Sequence, residues 1–234
     1  MSQHIGIVAC SAEGAALCYR TVCVEGQQLL GGFEHPEVSM HTPPFARYMH
    51  CLDRDDWRGV GELMLASAHK LARAGADFLI CPDNTIHQGL PWVLHRSPLP
   101  WLHIAEVVAA RAAELGLRRL GITGTRYLVD GEVYPDKLRA RGIEYLRPNP
   151  AERAEINRII FDELVCGIFK PAAVSYLQRV MERMKDEGCD AVVLGCTELP
   201  LIMNDANSPL PTLDSTRLLA RAALRRAAGA AAAG

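Results

Sequence analysis

Short apolar runs alternate along the chain with longer stretches in which apolar residues recur every three or four positions. The runs are bounded by Gly, Pro, Asp or Asn, a pattern typical of buried strands. They predict strands at 4–10, 37–41, 78–81, 101–104, 120–123, 143–146 and 191–194. The intervening stretches, of which 57–74 is a clear example, predict amphipathic helices. Strands that alternate with helices in this way predict an α/β fold with parallel sheets.

One segment of this pattern occurs twice, at 75–85 and at 188–198. In each copy a helix is expected to end at Gly-x-Asp, an apolar run follows, and a small polar cluster closes the segment. Aligning the two copies puts Asp83 opposite Cys196. Open α/β sheets bind ligands at the carboxyl ends of their strands, so we expect both ends to serve one active site.

The repeated segment also suggests the domain organisation. We expect two pseudo-symmetric parallel-sheet α/β halves with an interdomain active-site cleft, a common place for a small-ligand site. The first half is expected to comprise 1–97 plus 208–234, and the second 98–207. Prolines mark the entry to the second half, and 209–214 is expected to return the chain to the first half before a closing helix.

Composition and charge exclude several classes of protein. The chain has 234 residues, 49% of them hydrophobic and 22% charged, with a formal net charge of −2. This balance provides no electrostatic basis for binding nucleic acid or an anionic membrane surface. No apolar run approaches the ~20 residues of a spanning helix, and the N-terminus lacks the pattern of a signal peptide. We therefore expect a cytoplasmic protein that neither spans nor binds a membrane.

The chain has eight cysteines, and the sequence around one of them, Cys196, suggests a functional role. They form no Cys-x-x-Cys pair, and the histidines show no ligand spacing, so no metal site is expected. Seven are expected to be small buried hydrophobes, Cys81 among them. Cys196 differs because it ends a predicted strand just before a helix start marked by Pro200. A helix N-terminus favours a thiolate, although by composition alone a structural cysteine is the commoner case.

Several motifs together resemble a known family. Gly195-Cys196-Thr197-Glu198 and Asn84-Thr85-Ile86-His87 resemble the paired motifs Gly-Cys-Thr-Glu and Cys-Asn-Thr-x-His of the cofactor-independent aspartate/glutamate racemases. Met40-His41-Thr42 is similar to the family's His-Ser or His-Asn segment, and Gly124-Thr125-Arg126-Tyr127 also matches. The similarity extends over nearly the whole chain in the same order.

This resemblance implies a reaction and a set of residues. Two groups flank the α-carbon of a small-molecule carboxylate substrate, one removing the proton and the other returning it on the opposite face, without pyridoxal phosphate or a metal. Cys196 and Asp83 occupy the positions of these two groups. Family members are often dimers, which makes a homodimer an option. The residues expected to bind substrate are Asn84, Thr85, Thr125, Thr197, Glu198, Ser11, Thr42 and His87.

Three departures from the family's pattern qualify the transfer. Asp83 stands where the first cysteine is usual, and a carboxylate facing a thiolate would require one of the two to be protonated at rest. The glycine-rich turn after the first strand is replaced by 9–13. Some members carry a lysine where this chain has Ile168, and Lys170 lies two residues on.

Other interpretations of the same residues stay open. A decarboxylase or isomerase of a small dicarboxylate could use a single cysteine on this scaffold, and a ligand-binding homologue could have lost turnover. His87 could be a structural hydrogen-bonding residue. Glu198 could orient Thr197, contact a substrate ammonium group, or stabilise a helix N-terminus. The leading prediction is a racemase or epimerase of an aspartate- or glutamate-like amino acid.

Overall fold

A computed structural model describes residues 2–229. Within that range the strands form two four-stranded sheets, and every strand pairing in them is parallel. The described residues up to Val107, together with those from Thr216 onward, form one compact unit, and Val108–Ser215 form the other. The predicted α/β class with two parallel-sheet domains is confirmed.

The elements alternate along the chain as the hydrophobic pattern predicts. The strands are β1 (Ile5–Val8), β2 (Val38–His41), β3 (Phe78–Ile80), β4 (Trp101–Leu102), β5 (Arg119–Thr123), β6 (Glu144–Leu146), β7 (Ala191–Leu194) and β8 (Thr212–Asp214). The α-helices are α1 (Ala12–Leu30), α2 (Phe45–Leu52), α3 (Trp57–Arg73), α4 (Ile104–Glu114), α5 (Arg126–Val129), α6 (Val133–Arg139), α7 (Pro150–Arg158), α8 (Pro171–Asp186) and α9 (Ser215–Ala228).

The first unit is built around a sheet with the strand order β2-β1-β3-β4. Every residue of β1 and β3 is buried, which explains why these strands are continuously apolar in the sequence. Ile7 and Phe78 from the sheet share one hydrophobic cluster with Leu219 and Ala223 from α9. The C-terminal helix therefore completes the core of the first unit.

The second unit repeats this arrangement with the order β6-β5-β7-β8. Its main hydrophobic cluster joins Val192 and Leu194 of β7 to Leu177 and Met181 of α8. In both sheets the two central strands are neighbours, and a polar cluster follows the strand β3 or β7. The carboxyl ends of the central strands are where parallel α/β sheets bind their ligands.

The repeated Gly-x-Asp has the same structural role in both units. Gly75 ends one helix with a φ of 93° and Gly188 ends another with a φ of 87°, conformations that favour glycine. The carboxylate of Asp77 then accepts the backbone N–H of His4 at 2.7 Å, just before β1. Asp190 accepts the N–H groups of Arg118 and Arg119 at 2.6 and 2.9 Å, at the start of β5. Each aspartate thus holds the beginning of the neighbouring central strand in place through hydrogen bonds to its backbone.

Three details of the expected element map are corrected. The strand at 101–104, assigned to the second half from sequence, is β4 and pairs with β3 in the first sheet. The segment 209–214, expected to return the chain to the first half, contains β8, which pairs with β7 in the second sheet. Both unit boundaries accordingly lie later in the chain than the sequence suggested. In the stretch between the strands predicted at 143–146 and 191–194, which is expected to be helical, α7 is interrupted because it passes at Ile159–Glu163 into a π-helical turn.

Candidate active site

Asp83 lies at the carboxyl end of β3, and the protein holds it by both its side chain and its backbone. The carboxylate oxygen Oδ1 accepts the N–H of Ile86 at 3.1 Å, in the first turn of the short 3₁₀-helix Thr85–Trp92. The carbonyl oxygen accepts a hydrogen bond from His87 Nδ1 at 2.7 Å, and the thiol of Cys81 lies 3.7 Å from the same oxygen. The position of Asp83 is therefore fixed by its neighbours.

His87 is buried and both of its ring nitrogens face backbone groups. Because the carbonyl of Asp83 can only accept, Nδ1 carries the proton and Nε2 is the acceptor. Nε2 receives the N–H of Ile104, the first residue of α4, at 3.3 Å. His87 thus connects the Asp83 loop to the start of α4. Substrate binding by His87 stays a prediction, whereas its bracing of Asp83 is seen directly.

The other expected residues of the first unit follow its strands. Asn84 and Thr85 are buried directly after Asp83. Ser11 comes just after β1 and caps α1, with its Oγ accepting the N–H of Gly14 at 3.4 Å. Thr42 follows β2 and is exposed. Since β1 lies between β2 and β3, these polar residues line the carboxyl edge of one sheet.

Cys196 lies at the carboxyl end of β7 and is paired with a carboxylate. Its Sγ donates to Oε2 of Glu198 at 2.7 Å. The hydroxyl of Thr197 donates to the same oxygen, also at 2.7 Å. All three residues are buried, Glu198 being 5% exposed. A thiolate this close to a carboxylate is strongly repelled, so the resting pair carries one proton.

Thr125 and two glycines shape the neighbouring strand end. Thr125 follows β5 and caps α5, with its Oγ1 accepting the N–H of Leu128 at 3.3 Å. The strands β5 and β7 approach so closely here that a Cβ on Gly195 would lie 2.6 Å from the carbonyl oxygen of Thr123 and 2.6 Å from Leu128 Cδ2. The glycine before Cys196 therefore permits the close contact that sets the position of the thiol.

The structure shows which groups surround Cys81 and Lys170. Cys81 is fully buried, and burial together with the charge of Asp83 raises the pKa of its thiol well above the ordinary value. It therefore stays a neutral thiol, as expected for a core cysteine. Lys170 Nζ lies 3.3 Å from Oε1 of Glu163, a buried carboxylate at the end of the π-helical turn that also pairs with Arg158 at 2.8 Å.

Tyr48 on α2 is a site neighbour that the sequence analysis missed. Its side chain is completely buried. Besides burial, the nearby groups Cys81, Cys10 and Asp83 raise the pKa of its hydroxyl. A tyrosine inside a short helix after Pro43-Pro44 carries no signal in the sequence that would separate it from a core aromatic residue.

In the described part of the chain, no group of three or more His, Cys, Asp or Glu residues could hold a metal ion. None of the helices among the same residues is both long enough and apolar enough to span a bilayer.

Comparisons with known proteins place these features in a family. The model of the family "Asp/Glu/Hydantoin racemase" matches residues 15–223. That range covers most of the chain and includes both strand-end clusters. The chain therefore belongs to the Asp/Glu/hydantoin racemase family, and it is an isomerase of that class.

Individual relatives agree with this assignment. The chain is similar to the broad specificity amino-acid racemase RacX of Bacillus subtilis (strain 168), with 22% identity over 202 residues that cover 83% of this chain and 85% of the relative. A crystal structure from Yersinia pestis, named as a candidate Asp/Glu racemase, superposes with a TM-score of 0.89 and 28% identity over 97% of this chain and 99% of the other. An aspartate racemase homologue from Pyrococcus horikoshii OT3 gives a TM-score of 0.84 and 26% identity over the same shares.

Proposed function

We propose that this protein is a cofactor-independent racemase or epimerase of a small acidic amino acid, an aspartate- or glutamate-like substrate. Cys196 and Asp83 are the two acid/base groups and act on opposite faces of the α-carbon. The observation that carries the proposal is the bond from the Cys196 thiol to Glu198 in a member of this racemase family. It equips the thiol with a partner that can take and return its proton.

The chemistry at Cys196 follows from this pair. With the proton on sulfur, Cys196 can deliver it to a carbanion-like α-carbon, which leaves a thiolate. For the reverse direction the thiol must first lose its proton, and Glu198 Oε2, at 2.7 Å, is placed to accept it. The thiolate then removes the α-proton of the substrate. Thr197 donates to the same carboxylate oxygen and holds it in position.

Asp83 supplies the second proton transfer in this proposal. When it starts as a carboxylate it removes the α-proton while Cys196 donates from the other side, and the roles exchange for the opposite enantiomer. The N–H of Ile86 stabilises the charged form of Asp83 at Oδ1. In one turnover Asp83 gains the α-proton while Cys196 gives up its own, so the total number of protons on the two groups is unchanged.

Binding of the substrate carboxylates is assigned to hydroxyl, amide and backbone donors at the strand ends. Such fixed donors stabilise charge that develops on the substrate carboxylate as the α-proton leaves. The side chains given this role are Asn84, Thr85, Ser11, Thr42 and Thr125, whereas the hydroxyl proton of Thr197 is directed to Glu198. The similarity to RacX, which is named a broad specificity amino-acid racemase, supports an amino-acid substrate. The similarity to the aspartate racemase homologue of Pyrococcus horikoshii supports an acidic one.

Hydrogen exchange at the α-carbon tests the proposal directly. We expect both enantiomers of aspartate or of glutamate to incorporate deuterium in D₂O as optical activity is lost. The variant C196S should abolish racemisation, whereas C166S, which removes an exposed thiol of the same unit, should leave it unchanged. Absence of exchange with all four substrates and the native chain would contradict the proposal. Carbon dioxide release from substituted malonates, without exchange, would replace it by a decarboxylase.

A further inference from the structure

Tyr48 is the buried polar residue that the proposed mechanism leaves unused. It lies on α2, which begins just after the carboxyl end of β2, and its side chain is 0% exposed. The hydroxyl is fully buried and has no hydrogen-bond partner among residues 2–229. A buried hydroxyl left without a partner costs about 1–3 kcal/mol, so proteins rarely keep one without a reason.

The surroundings of this hydroxyl locate it at the candidate site. Cys10 follows β1 and Asp83 follows β3, and these two strands are paired in the first sheet. Both residues, with Cys81, lie close enough to Tyr48 to raise the pKa of its hydroxyl, and burial contributes most. Arg47 on the same helix acts in the opposite direction, but burial prevails. Tyr48 therefore keeps its proton and is a neutral donor within electrostatic range of the residues that follow β1 and β3.

A donor is what a carboxylate site beside Asp83 requires. The substrate of the proposed reaction is an anion, and Asp83 in its charged form repels it. The thiol of Cys81 already faces the carbonyl of Asp83, so it does not serve this purpose. A neutral phenol donates one hydrogen bond and adds no charge that would bind Asp83 in place of the substrate.

We propose that the Tyr48 hydroxyl donates to a carboxylate oxygen of the bound substrate and is a further substrate-binding residue on the Asp83 side of the site. This inference rests on the proposed function, because it takes the acidic substrate from it. It concerns the hydroxyl group alone, since the ring of Tyr48 is buried in the core of the first unit.

The test compares Y48F with the native chain in ligand binding rather than in turnover. Succinate, a dicarboxylate that lacks the amino group, is the first probe, and D- and L-aspartate follow. Y48F should bind them about 10- to 100-fold more weakly, which is the loss of one hydrogen bond to a charged acceptor. The ligand-free Y48F protein should melt at the same temperature as the native chain or higher, because the deleted hydroxyl has no partner among the described residues.

Y134F is the matched control. Tyr134 is also fully buried, but its hydroxyl bonds to Ser215. Its loss should lower the melting temperature by about 2–4 °C and leave succinate binding unchanged.

Each outcome bears on a different claim. Native-like binding by Y48F overturns the assignment of Tyr48 alone. Failure of the native chain to bind any of these dicarboxylates overturns both the assignment and the acidic substrate. Weaker binding by Y48F in a protein that shows no α-proton exchange supports the Tyr48 site and rejects the racemase.

Discussion

Replacing Glu198 by Gln is the sharpest perturbation of the candidate site. Gln has nearly the same shape, but its amide offers one acceptor oxygen where the carboxylate offers two. In the native chain the single oxygen Oε2 accepts from both Cys196 and Thr197 at 2.7 Å. The variant E198Q can still offer one oxygen to both donors, but this oxygen is uncharged and the amide cannot take up the thiol proton. We therefore expect a folded protein with impaired proton transfer at Cys196.

The magnitude follows from the charged hydrogen-bond acceptor that is lost. A hydrogen bond to a charged group contributes about 1.5–3 kcal/mol, so kcat/KM should fall by roughly 10- to 150-fold. Loss of the proton acceptor itself extends the range towards 10²- to 10⁴-fold. Since two enantiomers of an amino acid have equal free energies, kcat/KM must fall by the same factor in both directions. Thr197→Val removes a neutral donor only, and should cost about 2- to 10-fold.

Two assays check this prediction. Initial rates from each enantiomer, followed by circular dichroism, give kcat and KM separately. Alkylation of Cys196 by iodoacetamide at neutral pH should be faster in E198Q, because an amide does not repel the thiolate. Rates within twofold of native for E198Q, in a protein with an unchanged melting temperature, would refute the role of Glu198. C196S serves as the alkylation blank.

Three further changes test other parts of the structure. D83N keeps an oxygen for the N–H of Ile86, so it should fold, yet racemisation should fall by about 10²- to 10⁴-fold while Cys196 still exchanges the α-proton of one enantiomer. Equal loss of exchange from both enantiomers would argue against a two-sided site. G195A introduces a Cβ 2.6 Å from the Thr123 carbonyl oxygen, so it should lower the free energy of unfolding by about 1–3 kcal/mol. Urea titrations measure this loss, and an unchanged free energy of unfolding would exclude the close contact. The backbone N–H donors to Asp190 lower the pKa of its carboxyl below the ordinary 3.8, so its stabilising effect is complete above that value and lost as the pH falls through the folded pKa. The stability gap between the native chain and D190N should therefore be constant near pH 7 and shrink below about pH 3.8, and a gap unchanged at pH 2 would contradict this cause.

Much of the candidate site follows from sequence because its residues sit next to strand ends. Asp83 and Cys196 follow buried apolar runs, and a carboxyl end of a parallel strand is a place that the chain itself marks. The partnership of Cys196 with Glu198 is harder to foresee. The two residues are close in sequence, but whether Glu198 turns toward the thiol or toward a helix end depends on the local backbone.

The sequence by itself determined the α/β class, the repeated Gly-x-Asp segment and the strand ends, because alternating polarity and glycine-ended helices are local properties. Only the tertiary structure decided which sheet the short strands β4 and β8 join. A strand of two or three residues is too short for its sequence pattern to indicate its pairing partner. It also decided that the buried Tyr48 hydroxyl lies within electrostatic range of Cys10 and Asp83. These residues are far apart in the chain, and the packing of α2 in the first unit, rather than any motif, brings them near one another.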